Sequence, residues 1–302
     1  MDNVRVALDW TPNTNHTGFY VAAELGYYAD NGLNVTLLTP EQDDYLITPA
    51  KKLELGQADV ALAPFESVIS LNTKATPLRV VAIAALLRED ISAIVALSTN
   101  TIKRPKELDG RIYASYKARY EDAIVKQMIS NDGGRGDLTI TYPDKLGIWN
   151  TLLTGSADAT WIFDNWEGVE AEAQGIGLTK FRLADYGIPY GYSPVLFTTR
   201  EQIDTNADTY RRFLSATQKG FLYAASNVPE SVALLAPHVP ERDRTAIDLV
   251  KSQAYTAAYY GDETNWGQMD AGRVREFVDW LRQHGLETQS LDITSLFTNE
   301  LL

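Results

Sequence analysis

Two seven-residue stretches constrain the fold of this chain more than any other feature. Leu53-Glu-Leu-Gly-Gln-Ala-Asp59 and Leu152-Leu-Thr-Gly-Ser-Ala-Asp158 each close a helical pattern, stop it at a glycine and enter an apolar strand through Ala-Asp. Glycine belongs just past a helix end because the backbone there turns left-handed. Gly-x-Ala-Asp alone is a weak pattern. Its recurrence at the same topological place in each half of the chain points to two similarly built lobes. Each strand then opens into a loop at a matching offset, Ala63-Pro-Phe-Glu-Ser67 in one case and Ile162-Phe-Asp-Asn-Trp166 in the other. If the lobes face one another, these loops meet across a cleft.

The rest of the pattern agrees. Strands are expected at Val4–Leu8, Asn34–Leu38, Asp59–Leu62 and Arg79–Leu86, with helices at Gly18–Asn31, Ala50–Leu55 and Glu66–Lys74 between them. A second series follows, with strands at Arg111–Ala114, Leu138–Thr141, Ala159–Phe163, Phe181–Leu183 and Val195–Thr198. Its helices lie at Arg119–Ser130, Lys145–Leu153 and Glu167–Gln174. Strand–helix alternation calls for mainly parallel sheets with helices on both faces. The remainder reads as helices at Ala207–Ser226, Pro229–Leu235, Arg242–Ala258 and Asp270–His284.

Composition narrows the function. At 302 residues the chain is long enough for two domains, and 45% hydrophobic residues supply their cores. A net charge of −13 argues against a general nucleic-acid binder, which needs a basic footprint. With no cysteine, thiol catalysis and cysteine-bound metals are excluded. His16, His238 and His284 lie far apart, so no metal is expected, and no phosphate-binding glycine motif or other cofactor signature is present. Asp132-Gly-Gly-Arg-Gly136 follows a helix pattern and reads as its terminating loop. No apolar run approaches membrane-spanning length, and no leader pattern precedes the first strand. A cytosolic protein and a mature form carrying an added Met both fit that start.

The loop after the first strand, Asp9-Trp-Thr-Pro-Asn-Thr-Asn-His-Thr-Gly18, is where α/β proteins place ligands. Trp10 offers a flat face, and Asn13 and Asn15 can both donate and accept. Tyr116, Trp161, Phe163, Tyr190 and Tyr192 fall at other loops of the expected cleft. A flat heteroaromatic ligand sandwiched between such rings would present its polar edge to a few fixed groups. Glu66 or Asp164 would take an amino group. Ser115 and Tyr116 would sit at a helix N-terminus suited to a carbonyl or phosphate. The two carboxylates also suit acid–base work across a cleft, but no nucleophile–base arrangement is legible.

The run Asp9-Trp-Thr-Pro-Asn-Thr-Asn-His-Thr-Gly18, followed by Ala-x-Glu-x-Gly-Tyr-Tyr28 and Gly-Leu-x-Val35, resembles the thiamine-precursor binding family. Gly56-Gln-Ala-Asp59, Leu108-Asp-Gly-Arg-Ile112 and Tyr186-Gly-Ile-Pro-Tyr-Gly-Tyr-Ser-Pro-Val-Leu196 extend the likeness over most of residues 1–200. That family holds ThiY-type solute-binding proteins of ABC importers and the fungal thiamine pyrimidine synthase. The resemblance implies a type II periplasmic-binding-protein fold: two α/β lobes joined by two crossing segments, closing around a ligand cleft. The crossings would lie near 91–104 and 190–197, with lobe 1 made of 1–95 and 195–302 and lobe 2 of 96–194.

The synthase would need a lysine for pyridoxal phosphate and a reactive histidine. By alignment to that loop these positions are Ala63 and Ser67, and the fungal cysteine motif is missing. The resemblance therefore implies a binder rather than an enzyme. Its ligand would be an aminopyrimidine of the formylaminopyrimidine type, held by Trp10, Asn13, Asn15, His16, Glu66, Ser115, Tyr116, Trp161, Asp164, Tyr190 and Tyr192. The implied partner is an ABC permease, and the implied place periplasmic, or extracellular on a lipid anchor. Riboflavin or another ring, a cytosolic synthase relative, and a sensor on the same fold are the alternatives.

Overall fold

A computed structural model describes residues 1–302 and divides them into two compact units. Unit 1 comprises 1–90, 191–275 and 289–302, and unit 2 comprises 91–190 and 276–288. Residues 276–288 fall in unit 2, whereas the expected division places all of 195–302 in the first lobe. The helical pattern expected over 270–284 is a single helix, Ala271–Gln283, and the chain changes unit within it.

In unit 1, strands β1 (Asp2–Ala7), β2 (Leu33–Leu38), β3 (Val60–Ala63), β4 (Val80–Ala85) and β10 (Val195–Thr199) form one sheet. Its order is β2-β1-β3-β10-β4, and only β10 runs antiparallel to its neighbours. In unit 2, β5 (Ser92–Leu97), β6 (Arg111–Ala114), β7 (Leu138–Thr141), β8 (Ala159–Phe163) and β9 (Leu178–Phe181) take the order β7-β6-β8-β5-β9. Here β5 is the antiparallel member. Each sheet thus has one reversed strand in the same position, and each reversed strand lies just after the chain enters its unit. β5 corrects the sequence reading, which treated this segment as a crossing only. Its residues Ser-Ala-Ile-Val-Ala-Leu are apolar on both faces, as a central strand requires, and so show no alternation.

The repeated Ala-Asp entry is a register device. Asp59 donates its backbone N–H to Arg5 O and accepts the Arg5 N–H on its carboxylate, both at 2.8 Å. Asp158 repeats this on β6: its N–H reaches Ile112 O at 2.8 Å, and Ile112 N–H reaches its Oδ2 at 2.9 Å. The two parallel pairings then begin alike, Val6 opposite Val60 and Tyr113 opposite Ala159. The preceding glycines, Gly56 and Gly155, have φ of 67° and 74°.

Two expected helices are broken. The pattern over 18–31 becomes Thr17–Glu24 and Tyr27–Asp30, split at Gly26 with φ 77°. The pattern over 242–258 becomes Glu241–Ala246 and Leu249–Ala257, because Asp248 caps the second helix through Lys251 N–H at 3.0 Å. Helix Thr17–Glu24 lies against the long helix Arg200–Ser226 at a glycine crossing. A Cβ on Gly220 would sit 2.1 Å from Gly18 O, and one on Gly18 would sit 2.1 Å from the Phe221 ring. In unit 2, Trp149 and Leu152 pack with Ala93, Val95, Ile162 and Ala171, so Trp149 is a core residue.

Two outcomes follow from these contacts. Asp158→Ala leaves the Ile112 N–H without its acceptor and should lower unfolding free energy by about 1–3 kcal/mol. Asp158→Asn, whose amide oxygen can accept, should recover much of that loss in urea titrations. Gly220→Ala forces the two helices apart and should destabilise by about 1–3 kcal/mol; an unchanged melting temperature would contradict the close crossing.

Candidate ligand-binding site

In unit 1 the strand directions bring the carboxyl ends of β1, β3 and β4 and the amino end of β10 to one sheet edge. The loop after β1 dominates that edge. Every residue from Thr11 to Ala22 is buried, so its polar groups must find partners inside the protein. Asn13 caps the short 3-10 turn Thr14–His16: its Oδ1 accepts Asn15 N–H at 2.8 Å, and its Nδ2 donates to Thr11 O at 3.0 Å. His16 is 0% exposed. Its Nδ1 accepts Asn13 N–H at 3.3 Å, and its Nε2 lies 2.7 Å from Asp9 Oδ1. An N–H can only donate, so Nδ1 is the bare nitrogen and Nε2 carries the proton that Asp9 accepts.

Helix Leu249–Ala257 holds the same loop from behind. Thr14 Oγ1 bonds Ser252 Oγ at 2.7 Å and Thr256 Oγ1 at 3.1 Å, and Thr17 Oγ1 donates to Gln253 Oε1 at 2.5 Å. Tyr260 adds a bond from its hydroxyl to Thr14 O at 2.9 Å. Thr11 Oγ1 is the one hydroxyl of the loop with no hydrogen-bond partner. Asn13 and His16 therefore spend their side-chain polar groups on the shape of the loop. Trp10 is only half-buried, and its ring meets Tyr45 edge-on, with centroids 5.9 Å apart and planes at 63°.

Tyr45 was not singled out from sequence. It follows Asp44, and the two take φ of 52° and 62°, left-handed values that non-glycine residues adopt rarely and at some cost. The strained turn is held by Asp43, paired with the buried Lys52 at 2.7 Å. Glu66 is 5% exposed, in the first turn of helix Phe65–Thr73, directly after β3. Tyr192 accepts Asp270 N–H at 2.9 Å, and the Arg273 guanidinium lies 4.1 Å over its ring. Arg273 also donates to the carbonyls of Arg88 and Gly191. Arg88, Tyr192, Asp270 and Arg273 line a cavity of about 660 Å³ together with Met269 and Phe297.

Unit 2 has its own set. Trp161 and Tyr190 are each 9% exposed, with ring centroids 5.2 Å apart, and Tyr190 meets Phe277 at 5.4 Å. Asp164 follows β8 and is paired with both Lys180, at 2.6 Å, and Arg182. Its charge is thus already met by two cations of its own unit. Ser115 Oγ donates to Asp122 at 2.6 Å and accepts Lys117 N–H at 3.0 Å. Tyr116 packs on Ala114, Ile148 and Ala157. The helix Glu121–Asn131 begins with two acids, and Glu121 itself accepts Tyr116 N–H at 3.0 Å, Ala118 N–H at 3.2 Å and the Tyr113 hydroxyl at 2.9 Å. That carboxylate already takes two backbone N–H groups of the turn in which a carbonyl or phosphate was expected.

Two α/β units, each with a sheet of this order and one reversed strand, define a periplasmic-binding-type fold. The alkanesulfonate-binding protein SsuA from Xanthomonas axonopodis pv. citri, solved bound to MOPS, shares it with a TM-score of 0.73 at 12% identity, covering 99% of this chain and 98% of that one. The chain belongs to the NMT1/THI5-like family, which it matches over residues 13–231. It is 25% identical over 288 residues, 94% of this chain and 86% of the relative, to the formylaminopyrimidine-binding protein of Halalkalibacterium halodurans. It is also 21% identical over 305 residues to a 4-amino-5-hydroxymethyl-2-methylpyrimidine phosphate synthase of Legionella pneumophila, covering 99% of this chain and 92% of that protein.

Burial raises the Glu121 carboxyl above the usual glutamate value of 4.5. The folded state then keeps a proton that the unfolded chain has lost, so Glu121 contributes stability at low pH that disappears as pH rises through its folded value. Relative to Glu121→Gln, the wild-type protein should lose stability from about pH 4.5 upward. Urea titrations of both proteins across pH 4–8 check the sign; a difference that grows in favour of wild type with pH would contradict it.

Proposed function

We propose that this protein is the solute-binding component of an ABC importer and that its ligand is an aminopyrimidine of the formylaminopyrimidine type. The observation that carries the reading is Trp10: a half-buried ring at the carboxyl edge of β1, on a loop that is buried from Thr11 onward and braced by internal hydrogen bonds. A rigid aromatic face beside acidic side chains suits a flat, amine-bearing heterocycle. The name of the Halalkalibacterium relative, similar over nearly the whole chain, supports the same ligand class. Trp10, Glu66 and Tyr192 of unit 1 are ligand contacts in this reading. Asn13 and His16 act by holding the loop.

The binding involves no chemistry. In this reading Ala63, at the end of β3, and Ser67, in the following helix, take the places of the synthase lysine and histidine, and neither side chain can form an imine or donate a ring. The working place is outside the cytoplasmic membrane, where the protein delivers ligand to a permease.

A thermal-shift screen tests this. A ligand that binds only the folded state stabilises it by about 2.7 kcal/mol at a hundred times its Kd. Formylaminopyrimidine should raise the melting temperature, and Trp10→Ala and Glu66→Gln should each abolish most of the shift. A shift with riboflavin instead would change the ligand. A shift with pyridoxal phosphate, accompanied by an imine absorbance, would favour the synthase reading that the Legionella relative represents.

A further inference from the structure

We infer that Asp9 is the carboxylate that reads the ligand's exocyclic amine, and that His16 is the positioning residue behind it. The inference rests on the binding reading above and assigns the specificity of the same site. Asp9 is the first residue of the β1 loop to leave the core: its side chain is 21% exposed, between buried Leu8 and half-buried Trp10. One of its oxygens is fixed by His16 Nε2 at 2.7 Å. The imidazole cannot turn away, because it is fully buried and its other nitrogen accepts Asn13 N–H. A neutral imidazole orients the carboxylate without cancelling its charge. No lysine or arginine forms an ion pair with Asp9, so the second oxygen keeps its acceptor capacity. A buried donor that fixes an outer carboxylate is the arrangement by which proteins aim one polar group at a ligand.

The other carboxylates at the sheet edges are differently placed. Asp164 is bound by Lys180 and Arg182. Glu66 is almost wholly buried. Asp9 alone combines partial exposure, a fixed orientation and an adjacent aromatic face formed by Trp10 and Tyr45. The chemistry it selects is an N–H donor on the edge of a planar ring stacked at Trp10. A ring carrying a carbonyl at that position would set oxygen against oxygen.

Asp9→Asn tests the assignment. The amide oxygen can still accept from His16, while the amide nitrogen becomes a donor where the carboxylate accepted. Calorimetric titration with formylaminopyrimidine should show binding weakened about 10- to 150-fold, the range for loss of a hydrogen bond to a charged group. The analogue with a ring carbonyl in place of the amine should bind Asp9→Asn more tightly than wild type, an inversion that a merely structural role would not produce. Asp9→Glu, which keeps the charge and displaces it by one methylene, should also bind weakly with a normal melting curve, and carries the test if the asparagine variant does not fold. Unchanged amine affinity in either folded variant overturns the inference and leaves the binding reading intact. Absence of binding to the wild-type protein overturns both.

Discussion

The structure around the candidate site depends on one requirement: a buried loop must satisfy its polar groups without water. From Thr11 to Thr17 the chain is rich in hydroxyls and amides and nearly devoid of exposure. An unmet buried donor or acceptor is worth about 1–3 kcal/mol against the fold. Except at Thr11 Oγ1, the loop meets the requirement in two ways. Asn13 and His16 close it on itself, and Thr14 and Thr17 tie it to Ser252, Gln253 and Thr256. The second set lies beyond residues 13–231, where the family match ends. The C-terminal helices are thus the back wall of the loop, and the rigidity of the Trp10 face is set by residues far from it in sequence.

The Ala-Asp entries explain why the loops emerge where they do. A parallel strand pair has no hairpin to fix its register, and a slip of one residue would turn every side chain to the other face. Asp59 and Asp158 fix that register at the amino end of β3 and β8 through bonds made half to backbone and half to a carboxylate. Four or five residues later each strand ends, so the carboxyl-end loops leave at equivalent places. Glu66 and Asp164 owe their positions to this counting. Their surroundings then diverge, since only Asp164 is paired with two basic residues, Lys180 on β9 and Arg182 just after it.

Much of this was legible in the sequence. β6, β7 and β8 coincide residue for residue with the expected strands, each entered shortly after a glycine, Gly110, Gly136 and Gly155. β5 was not legible as a strand, since a strand buried on both faces loses the alternation that would announce it. The breaks at Gly26 and Asp248 were signalled by a glycine and a capping aspartate, but longer helical periodicity concealed them. The site was legible as a loop and not as roles. Asn13 and His16 attract attention by their chemistry, yet their partners are visible only once the loop is folded. Asp9 and Tyr45 are not marked in the sequence for the converse reason: one follows a strand end as any polar residue does, and the other depends on a left-handed turn that nothing in its neighbours requires.

The distribution of charge bears on acid–base chemistry in the same terms. General acid–base work needs two groups whose proton affinities are driven apart and which stay free to exchange protons. The edge residues here are committed elsewhere. His16 has one nitrogen occupied by a backbone N–H and the other by Asp9, and Asp164 is neutralised by cations. Glu121, the carboxyl that burial perturbs, is filled by two backbone N–H groups and a tyrosine hydroxyl. What the architecture holds still is a set of ring faces and one outward acceptor. Such a set suits recognition of a molecule by shape and hydrogen-bond pattern.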